Sequence, residues 1–369
     1  MFMQGVKNQW NMALTIGGKD FKADPSTVRQ CLWFENIHQH LPTLNLELID
    51  VNGDFSTIVS AGDGVPVDIT LGDGDRAGEN SASFNIMGAP SISHGQGYNV
   101  IKLNAVLNNV PFLRKVVTGL YEGPSNQVLQ KIAGEVGLKF QGDPTGDAMV
   151  WLPNNKTLAG FVRSVVNHGW VGAGSCMMVA VNSASEMLYR NVMQPQSSNE
   201  TFGYLEDGHV QIVDWDATSS GLMMNNNRGY GSTSVGYGMD GVLKELNKIT
   251  FNLFSSFLSI STKNLDAIGT IGGRLDNLIR PAGNTHEKYY DARHQNQRIR
   301  STFSNDLNIL IDQVSYTQML SEALAIPIDF SKVAPNQSLT GPYILTGRTR
   351  VLTRSKYAER ITLTSQGQS

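Results

Sequence analysis

The sequence predicts a mainly β protein with a few helices, a β-rich α+β fold. Three observations carry this. The first 110 residues hold apolar alternation in short runs separated by turn residues. Two interior segments switch to helical periodicity. The last forty residues read as a pair of strands, which needs a larger sheet to join because two strands alone are marginal in water.

In chain order, Trp10 to Ile16 alternates and is turned by Gly17-Gly18-Lys19-Asp20. Val28 to Phe34 is a second strand. Leu44 to Asp50 alternates strictly, the mark of a half-buried antiparallel strand, and Val51-Asn52-Gly53-Asp54 turns it. Val65 to Leu71, Ser83 to Gly88 and Tyr98 to Leu107 follow. Strands at this short, regular spacing indicate a barrel or sandwich.

The period then changes. Ser125 is placed to cap a helix whose stripe is Val128, Leu129, Ile132, Ala133 and Val136, ended by Gly137. Thr157 caps a second, with Leu158, Phe161, Val162, Val165 and Val166 as its stripe and Gly169 after it. Both stripes are read as core faces. Ser175–Val181 and Glu186–Val192 form a hairpin across Asn182-Ser183-Ala184-Ser185. Residues 215–240, rich in Gly, Asn and Ser, read as a loop or arm. Val242 to Phe257 is read as strand, and 288–300 as a polar helix. Phe303 to Asp312, a short strand near Tyr316–Leu320 and the terminal hairpin complete a second β-domain. That hairpin is Tyr343–Leu352 and Tyr357–Thr364 around Thr353-Arg354-Ser355, with no active site nearby.

Bulk properties narrow the function classes. The chain has 369 residues, enough for two or three domains at about 150 residues each. Hydrophobic content of 40% against 17% charged places a packed core within reach and argues against wholesale disorder. Net charge is −3, with eleven acidic and six basic side chains in residues 1–110. Tight nucleic-acid binding needs clustered Lys and Arg, so this balance argues against it. The acidic side chains are read first as a solvated face. Cys31 and Cys176 are far apart, form no metal spacing and sit beside apolar residues, so buried free thiols are expected. No secretion signal opens the chain and no apolar run approaches a membrane span.

No motif in the chain has the spacing that a recognisable catalytic or metal site requires. His286-Glu287 starts like a zinc-protease helix, but four residues on stands Tyr290 where the second imidazole is needed. Asp73-Gly74-Asp75 with Glu79 lacks calcium-loop offsets and reads as a polar turn. Gly229, Gly231, Gly236 and Gly238 have no Gly-Lys-Ser/Thr partner and make no phosphate cradle. There is no Gly-x-Ser-x-Gly elbow. His38, His40, His94, His168, His209, His286 and His294 share no motif. No catalytic, cofactor-binding or metal-binding residue is therefore assigned, no cofactor is expected, and the protein is expected not to be an enzyme. Trp10, Trp33, Trp151, Trp170 and Trp215 could stack on a glycan, but their contexts favour packing.

The order of elements resembles a known family. A β-domain is followed by Gly119-Leu120-Tyr121-Glu122-Gly123-Pro124-Ser125 and a helix ending Ile132-Ala133-Gly134-Glu135-Val136-Gly137-Leu138. Lys156-Thr157-Leu158-Ala159-Gly160-Phe161-Val162, the strand end Met187–Asn191, the run Asn284–Ala292 with Gln295-Asn296, and Gly341–Gly347 follow. This resembles the tail or baseplate hub proteins of tailed bacteriophages, relatives of the late control protein D family and of type VI secretion spikes. No clear glycine-led apolar strand precedes Val333, a departure from that pattern.

The resemblance implies two tube-like β-barrel domains with inserted helices and loops. The first spans 1–120, and a helix–strand connecting region covers 121–214, with helices near 125–137 and 157–168. A Gly/Asn-rich loop and insertion covers 215–285, and return strands at 286–369 complete the second barrel. It further implies a homotrimeric ring in the virion, assembled in the host cytoplasm. The ring would join the tail tube protein to a spike or tail-tip protein among other baseplate proteins, with only transient passage of DNA and no membrane insertion. The 215–240 arm is expected to order on assembly. The competing readings are a tail-associated cell-wall hydrolase, resting on the supply of carboxylates, and a receptor- or glycan-binding β-protein.

Overall fold

The computed structural model describes residues 10–37, 41–51, 53, 62–73, 76–95, 97–195, 201–204, 210–219, 233–237, 243–248, 285–289, 292–293, 295–296, 300, 303–311, 325–330, 339–354 and 357–366. The expectation of a mainly β chain with few helices holds. Three helices are formed among the described elements, and most of the rest is strand.

The first β-body contains β1 (Trp10–Ile16), β2 (Lys19–Lys22), β3 (Val28–Asn36), β4 (Thr43–Asp50), β5 (Pro66–Asp73), β6 (Arg76–Ile86), β7 (Ser91–His94) and β8 (Asn99–Leu107). They pair antiparallel in the order β3-β4-β8-β6-β5-β1-β2, with β7 on the part of the β8 edge that β6 leaves free. Alternation dictates the register. Leu44, Leu46 and Leu48 face Ala105, Leu103 and Ile101, all buried. The Gly17-Gly18 turn is allowed because both glycines hold positive φ, 59° and 78°, which a side chain would resist. Strands from β3 round to β1 all feed one apolar cluster that includes Leu14, Trp33, Leu46, Val67, Phe84 and Leu103.

A connecting layer follows. Helix α1 (Val110–Arg114) was not foreseen; Asn109 caps it by accepting from the Phe112 N–H, and a proline stands in its first turn. Then come β9 (Tyr121–Gly123), α2 (Ser125–Glu135), β10 (Lys139–Gly142), β11 (Met149–Trp151), α3 (Leu158–His168), β12 (Met177–Val181) and β13 (Glu186–Asn191). β10 and β12 flank β13, while β9 and β11 pair separately. The stripes predicted for the two longer helices are buried in the same cluster as the first β-body, apart from the half-buried Val136. Thr157 caps α3 through the Gly160 N–H as expected. Ser125 does not cap α2: it is the first helical residue, and its N–H and hydroxyl both donate to the buried carboxylate of Asp147.

The second β-body contains β14 (Phe202–Gly203), β15 (Val210–Ser219), β18 (Phe303–Ile311), β19 (Ala325–Asp329), β20 (Gly341–Thr353) and β21 (Tyr357–Gln366). Their pairings close on themselves, β19-β14-β15-β18-β21-β20-β19, so this body is a six-stranded barrel. Leu307, Ile309, Ile311, Phe330, Leu345, Ile361 and Leu363 fill it. β19 supplies the strand missing from the sequence reading before Val333; Pro327 within it breaks the strand signal. A separate hairpin pairs β16 (Thr233–Tyr237) with β17 (Leu243–Lys248); β17 is in line with the strand reading after Val242, whereas β16 falls within the segment read as a loop. Trp215 to Ser219, read as the start of a loop, instead belongs to β15. The remainder of the expected arm, residues 220–232 and 238–240, lies outside the described residues, as do 249–257 and the strand expected near Tyr316–Leu320.

The two bodies meet on one strand. The first part of β20 pairs with β19, its later part, Gly347–Thr353, pairs with β3, and β21 runs along its other edge from Ile344 to Leu352. Gly347 sits where the strand changes partner; a Cβ there would lie 3.0 Å from Asn36 Nδ2 and 3.3 Å from the Glu35 carbonyl oxygen. Gly347→Val is therefore expected to destabilise the protein by about 1–3 kcal/mol through overpacking, read as a lowered midpoint in urea unfolding. An unchanged midpoint would show that the strand shifts without cost.

Candidate functional site

A bulge in β20 between Leu345 and Gly347 changes which positions face inward. Before it, Tyr343 and Leu345 point into the second barrel; after it, Arg348, Arg350 and Leu352 point into the first body. β21 keeps its odd residues inward throughout, so Tyr357 joins the first core and Ile361 and Leu363 the second. Between the two apolar clusters the inward positions are charged. Arg350 lies opposite Glu359 on one side and Trp33 on the other, and Arg348 lies opposite Glu35.

All four ions are 2% exposed or less. Arg350 reaches Glu35 at 3.2 Å and Glu359 at 3.6 Å, and Arg348 reaches Glu35 at 3.5 Å. Arg350 also donates to Asn80 Oδ1 at 2.9 Å and lies 4.3 Å above the Trp33 ring. The β12–β13 turn joins in: the Ser183 N–H donates to Glu35 at 3.2 Å and its hydroxyl donates to the same oxygen. Two carboxylates against two guanidinium groups leave the cluster formally neutral, as a buried site requires. Burial pushes the Glu359 carboxyl up to about 7, against the pull of Arg350. Burial works to lower Arg350, but Glu35 and Glu359 together hold it above the usual guanidinium value. Burial raises the Cys31 thiol to about 12, so it stays protonated and inert.

A second buried polar set holds the connecting layer. Asp147 accepts from the Ser125 N–H at 2.7 Å, from the Ser125 hydroxyl at 2.6 Å and from the Trp170 N–H at 2.8 Å. The Tyr189 hydroxyl lies 3.0 Å from Ser125 Oγ. Burial and the nearby Asp147 charge raise the Tyr189 phenol. Serine and carboxylate touch directly, with no imidazole between them, and the carboxylate caps the first turn of α2.

The residues tested by sequence for chemistry fall elsewhere. His286 donates from Nε2 to the His168 carbonyl oxygen at 3.1 Å. His168 is buried and stacks on Tyr289, and His94 bonds Asn99 across the β7–β8 turn. His38, His40, His209 and His294 lie outside the described residues, as do Gly74, Asp75, Gly229, Gly231 and Gly238; Gly236 is in β16 and Glu79 in β6. No group of three metal-capable side chains occurs among the described residues. Both cysteines are free and buried. Trp33 packs edge-on to Phe84, Trp151 donates to the Gly123 carbonyl oxygen, Trp215 packs on Phe330 and Trp10 is buried. Among the described residues no helix is long and apolar enough to cross a membrane.

The sequence reading missed the charge cluster, although its signal was present. Cys31, Trp33 and Glu35 share one phase of β3, so an inward Glu was legible once the strand's buried face was assigned.

No family model matches the sequence, and no curated protein matches it. Solved structures do share the fold. The 43 kDa tail protein of prophage MuSo2 from Shewanella oneidensis superposes with a TM-score of 0.60 at 10% identity, over 96% of this chain and 98% of that one. The tail protein from Neisseria meningitidis MC58 gives 0.58 at 9% identity, over 96% of each chain. The E. coli c3393 protein, a type VI secretion component similar in structure to the T4 bacteriophage tail proteins gp27 and gp5, gives 0.53 at 10% identity, over 96% of this chain and 77% of that one. The chain thus has the fold of phage tail proteins and of this secretion component, and the resemblance read from the sequence holds at the level of fold.

Breaking the junction is expected to be costly. Arg350→Met leaves Glu35 and Glu359 buried with Arg348 alone and should cost about 3–5 kcal/mol. Adding Glu35→Gln should recover part of that loss, giving a non-zero coupling energy in a double-mutant cycle by urea unfolding. Strict additivity would mean that the two side chains do not interact.

Proposed function

We propose that the protein is a structural component of a phage-type tail: a central hub, three copies of which form a ring joining the tail tube to a spike or tail tip, with DNA passing through the centre. The observation that supports this best is the correspondence of its architecture with tail proteins over almost the whole of both chains. The role of the strands also fits. They build two walls joined edge to edge through β20, and the buried polar groups are spent on holding those walls together. A ring of three chains with two β-bodies each presents six comparable edges, which suits a junction between assemblies of different symmetry.

Exposed apolar side chains offer surfaces for neighbouring copies or tail partners. Leu120 and Leu152, 59% and 50% exposed, sit side by side just beyond the β9–β11 ladder, with Val116 nearby. Met87, Ile92 and Tyr98 are exposed around β7. In this reading the protein is not an enzyme, and a peptidoglycan zymogram should show no clearing.

Light scattering of the purified protein is expected to give the mass of three copies, or of one copy that reaches three when tail partners are added. Electron images should show a ring with an opening wide enough for duplex DNA. A stable dimer, or a single copy that persists with its partners present, would overturn the proposal.

A further inference from the structure

Three buried side chains stand in one row across the strand that the two β-bodies share. Trp33 of β3 lies opposite Arg350 of β20, and Arg350 lies opposite Glu359 of β21. Each is 1% exposed or less. Part of their hydrogen-bonding capacity is used. Arg350 donates from Nη1 to Glu35 Oε1 and from Nη2 to Asn80 Oδ1. Glu359 Oε1 accepts from the Tyr357 hydroxyl at 3.2 Å. Trp33 Nε1, Arg350 Nε and Glu359 Oε2 are left over, none with a hydrogen-bond partner among the described residues. Arg350 Nε stands 3.6 Å from Glu359 Oε1, close enough for attraction between charges and too far for a hydrogen bond.

The leftover atoms have a definite chemistry. The indole and the guanidinium can only donate, and an ionised carboxylate can only accept. By strand order Arg350 is the middle residue, and its Cζ lies 4.3 Å from the centre of the Trp33 ring. A metal ion among these atoms would face two N–H donors, one of them on a cation. An anion would face the Glu359 carboxylate. A small neutral molecule that both accepts and donates suits all three atoms. Water does so, and a buried water typically makes about three hydrogen bonds. The need is strong, because a buried polar group without a partner keeps its whole desolvation cost.

We propose that the junction binds one enclosed water molecule, which accepts from Trp33 Nε1 and Arg350 Nε and donates to Glu359 Oε2. The water ties β3, β20 and β21 together between the two apolar clusters. It extends the polar seam from Glu35 and Asn80, through Arg350, to Glu359 and Tyr357. Trp33 then serves the junction twice, as apolar filler of the first core and as an N–H donor at its edge.

A crystal structure of the whole protein, at a resolution that shows ordered solvent, tests this. Burial pushes the Glu359 carboxyl up to about 7, so the crystals should be grown well above that pH, where its oxygen accepts. The expected result is one solvent peak at about 2.7–3.2 Å from all three atoms. No peak, a peak that touches fewer than three of them, or direct bonds from these atoms to protein groups would overturn the proposal. In solution at the same pH, the Trp33 indole N–H should show a direct rotating-frame Overhauser contact with a long-lived water. Its resonance is identified by its loss in Trp33→Phe. A Trp33 indole without that contact would equally overturn the proposal. Should Trp33→Phe fail to fold, the crystal structure decides alone.

Discussion

One strand belongs to two walls, and its backbone must satisfy both. β20 gives hydrogen bonds to β19 over its first part and to β3 over its later part, and the change of partner falls on a bulge. Without that extra residue, the side chains that fill the second barrel and those that fill the first body would demand opposite faces of the same strand. The ion cluster sits at this change of partner. Arg348, Arg350, Glu35 and Glu359 occupy inward positions between two apolar clusters, where neither core reaches fully. Unpaired, any one of them would be severely penalised. Together they fix the register of three strands and, through Ser183, the seat of the connecting layer.

Other buried polar side chains likewise bond to one another and to backbone groups. Asp147 caps the start of α2 from the far side of a loop, and Asn296 closes α3 with its amide. Each spends its hydrogen-bonding capacity on backbone groups that would otherwise be orphaned.

Much of the architecture was legible because binary pattern and burial agree. Leu44, Leu46 and Leu48 alternate and are buried, and the stripes of α2 and α3 sit in the core or at its edge. The terminal hairpin lies where its β-branched residues place it. What escaped was set by distant partners. α1 is only five residues long, too short for periodicity to show, although Asn109 and Pro111 marked its start. β19 is interrupted by Pro327 and exists because β14 and β20 receive it. Ser125 looked like a cap because its residue type suits one, yet Asp147 took the position from 22 residues away. Arg348 and Arg350 carry no local signal of burial; it depends on Glu35 and Glu359, which arrive from two other strands.

The shared strand is expected to make both β-bodies one cooperative unit. Urea unfolding of two single-tryptophan variants, one retaining Trp10 in the first body and one retaining Trp215 in the second, addresses it directly. Coincident transitions with the same midpoint are the predicted result. A barrel that melts at Trp215 while Trp10 remains in its folded environment would contradict the account.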